Sequence, residues 1–108
     1  MTLPSRGEIW DIAFYHAQNT ISLPCLILSD ELLKNTSANL TVVLPATNRD
    51  LNIASHIQAI GLEAEPELFI RCEEMLTVST KRCLQKIGKV SDKTMLEVDE
   101  TVKLLLGL

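Results

Sequence analysis

A chain of 108 residues, 46% hydrophobic and 22% charged, has the profile of one domain spanning 1–108 and excludes two independent domains or a disordered, repetitive chain. Ten Lys and Arg against 14 Asp and Glu leave a net charge of -4, a field that repels phosphate overall and confines any nucleic-acid role to a local patch. A globule of this size buries only about two thirds of the surface its unfolded chain exposes, so it gains from packing on a partner.

No apolar run approaches the roughly 20 residues needed to cross a bilayer. Met1 to Arg6 leads into patterned sequence without the apolar segment of a signal peptide, so a cytoplasmic protein is expected. Cys25, Cys72 and Cys83 show no C-x-x-C spacing and sit in or beside apolar runs, where they read as reduced core residues. His16 and His56 are far apart and have no cysteine near them, so neither a metal nor another cofactor is expected.

In chain order, Gly7 to Tyr15 (GEIWDIAFY) is rich in β-formers and predicts a first strand. His16 to Ser22 reads as a turn, and Pro24 as the opening of a second strand, LPCLILS. Asp30 to Lys34 suits one or two helical turns capped by Ser29 or Asp30, broken at Asn35 to Asn39. Leu40 to Leu44 (LTVVL) is the clearest strand, ended by Pro45 and followed by the turn-rich Ala46 to Asn52, a candidate site.

Three further short strands are predicted at His56 to Leu62, Leu68 to Cys72 and Met75 to Val78, with an acidic loop at Glu63 to Glu67. Lys81, Arg82, Lys86 and Lys89 form a cationic stretch without interleaved aromatics, which reads as a solvated surface in a supporting role. From Asp92 the period changes: Met95, Val98, Val102, Leu105 and Leu106 recur at helical spacing behind Ser91 as N-cap. Short strands closed by one amphipathic helix, Asp92 to Leu106, make an α+β fold, mainly β: a small, bent antiparallel barrel with the helix packed on it. No G-x-S-x-G, P-loop, G-x-G-x-x-G or H-E-x-x-H pattern is present, so the residues alone leave the function open.

Five segments, in order and spacing, resemble the MazF/PemK toxins of type II toxin-antitoxin systems. They are Arg6-Gly7-Glu8-Ile9-Trp10, Leu23-Pro24-Cys25-Leu26-Ile27-Leu28-Ser29, Leu44-Pro45-Ala46-Thr47, Cys72 to Val78 (matching an acidic-Gln-Ile-Arg-Thr segment), and Ile87 to Ser91 with Leu105-Leu106-Gly107-Leu108. The resemblance implies an SH3-like barrel (MazF/CcdB-like), a homodimer and a MazE-type antitoxin partner. It also implies metal-independent endoribonuclease cleavage of single-stranded RNA, the activity of an mRNA interferase.

That reaction, attack of a ribose 2'-hydroxyl on the adjacent phosphate, needs a base, an acid and positive charge or donors at the phosphate. The resemblance places Thr47 at the family's active-site threonine and Glu73 at its acidic position, with Glu74 where glutamine is usual. The family's catalytic arginine precedes the proline of the second strand, and Leu23 stands there instead, which is expected to weaken cleavage. Arg49, a fixed cation two residues beyond Thr47, and His16, which titrates near neutrality, are the candidate replacements. The catalytic candidates are therefore Thr47, Arg49 and His16, and the RNA-binding candidates Ser29, Asn48, Glu73 and Arg82. The alternatives are a non-catalytic binding protein on the same fold and a CcdB-like gyrase poison.

Overall fold

The computed structural model describes residues 3–29, 39–62 and 67–108. The predicted helical turns at Asp30 to Lys34 and most of the acidic loop, 63–66, lie outside the described residues.

The chain opens with a long hairpin, β1 (Glu8–His16) and β2 (Asn19–Ile27), paired from Ile9 opposite Leu26 to His16 opposite Asn19. The turn is shorter than the sequence predicts. Ala17, at φ 55°, and Gln18 turn the chain, and the β-formers Thr20 and Ile21 already pair with Tyr15 and Phe14. Pro24 consequently lies within β2, opposite Asp11, rather than opening the strand. It stands just beyond the ladder to the next strand, which begins at Cys25, an edge position where a missing N–H is tolerated.

Strand β3 (Leu40–Thr47) also runs through its proline, contrary to the expected stop at Pro45. On one side it pairs with β2, Cys25 opposite Pro45. On the other it takes two partners in succession: β6 (Leu76–Ser79) along Leu40 to Val43, then β5 (Phe69–Arg71) at Ala46 and Thr47. Pro45 falls between these two ladders, so its lack of a donor breaks neither. β4 (His56–Gln58) pairs with β5 and is shorter than predicted.

One strand was not anticipated. β7 (Cys83–Lys89) pairs antiparallel with β1 although its charged and glycine residues read as a cationic surface segment. The sheet order is β4-β5-β3-β2-β1-β7, with β6 branching from β3. The barrel is therefore open, with β4 and β7 at its ends, and every described pairing is antiparallel.

Helix α1 (Asp92–Leu106) has the predicted bounds. The Ser91 hydroxyl accepts from the Thr94 N–H at 3.1 Å, and Gly107 closes the helix at φ 73° while its N–H and that of Leu108 reach back to the last turn. Val98 and Val102 face the sheet with Thr94, whereas Leu105 and Leu106, expected on the same stripe, are exposed. Alternation along β1 divides the apolar residues between two cores. Ile9 joins Leu26, Leu44, Ile70, Val98 and Val102 beneath the helix, while Trp10 and Ile12 join Cys25, Ile27, Val43 and Val78 on the opposite face. The three cysteines are free and buried. Burial pushes the Cys25 thiol up to about 12 and those of Cys72 and Cys83 up to about 11, leaving them protonated and unreactive.

Candidate active site

A cleft of about 420 Å³ opens where the middle of β2 and the end of β3 meet β1 and β7. It is lined by Asp11 of β1, Leu23 and Pro24 of β2, Ala46 and Thr47 of β3 with the following Asn48, and Leu68 and Ile87. Strand register explains the grouping. Cys25 faces Pro45, so the same register carried two residues further brings Leu23 level with Thr47, while Asp11 faces Pro24 from the other side. Beyond Thr47 the chain turns, and the Arg49 N–H donates to the Thr47 hydroxyl at 3.3 Å, an ST-turn that fixes the oxygen at the mouth of the cleft.

The lining is thus one hydroxyl, one amide and one carboxylate set among hydrocarbon. Among the described residues no Lys, Arg or His lines it. Of the candidates, Thr47 and Asn48 line the cleft together, beside Leu23. Arg49 stands on the same turn with its side chain exposed. His16 lies four residue pairs along the β1–β2 ladder from Ile12 and Leu23, about 14 Å at the usual strand rise.

Glu73 is held elsewhere, in a polar corner between β4 and the 3-10 turn Cys72–Glu74. The Ser55 hydroxyl donates to one carboxylate oxygen at 2.7 Å and His56 Nε2 to the other at 2.8 Å, so Nε2 carries the proton. Desolvation pushes the Glu73 carboxyl up, but the hydrogen bonds from Ser55 and His56 outweigh it and hold the group below the usual carboxylate range. The His56 side chain is only 1% exposed, which closes it to substrate, and Arg71 pairs with Glu74. Buried His56 Nδ1 and Arg71 Nε have no hydrogen-bond partner among the described residues.

The remaining candidates are dispersed. Ser29 bonds the Thr41 hydroxyl at 2.9 Å and the Val42 N–H at 3.0 Å, and Arg82 lies 5.2 Å over the Tyr15 ring. Lys86 of the cationic stretch is paired with Glu8 at 2.9 Å. Desolvation raises the Glu8 carboxyl, yet bonds from Trp10, Lys86 and the Ser5 N–H bring it below its ordinary value. Sequence reasoning missed Asp11 and Ile87. Asp11 had a signal: it is the one charged residue within the apolar run Ile9 to Tyr15.

Residues 5–106 match the family model of the PemK-like, MazF-like toxins of type II toxin-antitoxin systems, and the chain belongs to that family. The chain is 25% identical over 115 residues to endoribonuclease MazF9 of Mycobacterium tuberculosis, an alignment covering 95% of this chain and 96% of that protein. A MazE-MazF crystal structure (form II) from Deinococcus radiodurans shares the fold with a TM-score of 0.88 at 15% identity, over 100% of this chain and 99% of that one. An endoribonuclease in complex with its cognate antitoxin, from a mycobacterial species, gives 0.77 at 19% identity, over 100% and 97%.

Proposed function

We propose that this toxin is an endoribonuclease that cleaves single-stranded RNA by 2'-hydroxyl attack on the adjacent phosphate, in the cleft between Leu23 and Thr47. The observation that carries the reading is the meeting of these two positions from separate strands, the positions at which the family resemblance puts the active-site arginine and threonine. Thr47 and Asn48 supply neutral donors to the phosphate oxygens. Arg49, on the turn that bonds Thr47, is the cation nearest in sequence to these donors. A leucine cannot stabilise a pentacovalent phosphorus, so cleavage is slow relative to a chain with arginine at position 23.

The working species is a homodimer held in check by a MazE-type antitoxin. Leu96, Leu104 and Leu106 are exposed on α1, apolar surface that a second copy can cover. A MazE-MazF structure and an endoribonuclease in complex with its cognate antitoxin share the fold. An acidic antitoxin segment must meet a chain of net charge -4 through apolar anchors and local Arg or Lys groups.

The test is cleavage of labelled single-stranded RNA by the purified protein, with both new ends mapped. A 2',3'-cyclic phosphate and a 5'-hydroxyl are expected, with a rate unchanged by EDTA. Activity abolished by EDTA and restored by magnesium would overturn the proposed metal independence. Intact RNA, with antitoxin or RNA binding retained, would make the chain a non-catalytic binder, and inhibited gyrase would assign it to topoisomerase poisoning.

A further inference from the structure

We infer that Asp11 is the proton acceptor of the cleft, the carboxylate that takes the 2'-hydroxyl proton of bound RNA. The inference rests on the ribonuclease reading and supplies the group that reading lacks. Of the other lining residues, Thr47 and Asn48 are a hydroxyl and an amide, neither of which takes up a proton near neutrality, and Leu23, Pro24, Ala46, Leu68 and Ile87 offer hydrocarbon. A carboxylate is a competent general base when held within hydrogen-bond reach of the hydroxyl.

Three features of Asp11 suit it to that work. It sits within β1 between Trp10 and Ile12, both buried, so it is carried by a rigid element rather than a loop. The ladder from β1 to β7 slips on both sides of it: Ile9 faces Gly88 but Trp10 faces Lys86, then Asp11 faces Gln85 but Ile12 faces Cys83. Bulges of this kind re-aim side chains and recur beside active sites. Here the residue skipped by the first slip, Ile87, lines the cleft with Asp11. Finally, Asp11 makes no ion pair or side-chain hydrogen bond among the described residues, whereas Glu8 and Glu73 are each held by several.

In the step, Asp11 takes the proton as the bond from the 2'-oxygen to phosphorus forms. The bond from phosphorus to the 5'-oxygen breaks, its electron pair leaves with that oxygen, and water protonates it. The resulting hydroxide takes the proton from Asp11, which regenerates the carboxylate.

The experiment is single-turnover cleavage at saturating protein across the acid and neutral range, for the unmodified chain, Asp11→Asn and Asp11→Glu. Where the unmodified rate is too low to time, the same series is run with Leu23→Arg. Asp11→Asn is expected to lower the rate about 100-fold or more and to abolish its fall at acid pH. RNA affinity and melting temperature should hold, and Asp11→Glu should recover part of the rate. An Asp11→Asn protein that cleaves at the parent rate, or that is slow but keeps the acid fall, overturns the inference and leaves the ribonuclease reading standing. RNA left intact by both the unmodified chain and Leu23→Arg overturns the two together. Should Asp11→Asn fail to fold, the Asp11→Glu profile decides: an unshifted acid limb at full rate is evidence against a base at this position.

Discussion

Leu23 is 39% exposed at the edge of a cleft whose described lining has no cation. An arginine stem there can lie along the surface with its guanidinium toward phosphate. Leu23→Arg is therefore expected to raise the cleavage rate about 100-fold or more. Thr47→Ala in that background should return it to near zero, as read by the same end-mapped assay. Arg49→Ala and His16→Ala in the unmodified chain test the two candidate replacements. The larger loss, about 100-fold, is expected from Arg49, because its cation is carried on the turn beside Thr47 whereas the strand ladder carries His16 away from the cleft.

At the scale of elements, α1 depends on a small polar knot at its N-terminus. The Ser91 hydroxyl takes the Thr94 N–H, and the buried Thr94 hydroxyl meets the Ser91 hydroxyl at 3.0 Å and accepts from the Ile60 N–H at 3.1 Å. Ser91→Ala should cost about 1 kcal/mol as a lost cap. Thr94→Val should cost about 1–3 kcal/mol, because it leaves the Ile60 N–H without its acceptor. Thermal or urea unfolding measures both, and equal stability of Thr94→Val and the parent would show that water reaches Ile60. The amphipathic period found this helix, but not the side chains that complete its buried face. Thr94 is 1% exposed while Leu105 and Leu106 stand in solvent.

For the whole molecule, Glu8 and Glu73 tie distant segments together, Glu8 joining the N-terminal turn to β7 and Glu73 joining the β4 end to the turn after β5. Both carboxyls lie below their ordinary value when folded, so the unfolded chain binds protons first as pH falls. Their stabilisation is complete above about pH 4.3, the unfolded glutamate value, and is lost as pH drops through the lower folded values. Melting temperature should decline over that acid range, and less steeply in Glu8→Gln and Glu73→Gln; identical slopes in all three proteins would assign acid unfolding to other groups. Light scattering on the purified chain should give twice the monomer mass, and Leu104→Glu with Leu106→Glu should lower it if α1 forms the contact.

The β-rich composition, the strands around Ile9 to Tyr15 and Leu40 to Leu44, the capped helix and the family resemblance were legible in the chain because they rest on local period and short-range turn chemistry. Pro24 and Pro45 misled the strand bounds, since whether a proline ends a strand depends on which neighbour needs its N–H, and that is set by the ladder from β3 for Pro24 and by those from β5 and β6 for Pro45. β7 was invisible for a related reason: its exposed, charged residues carry little apolar alternation, and it is a strand because β1 offers it an edge. The meeting of Leu23, Thr47 and Asp11 in one cleft likewise came from register across three strands. Residue types set what chemistry each group can do, but only tertiary pairing decides which groups face the same volume of space.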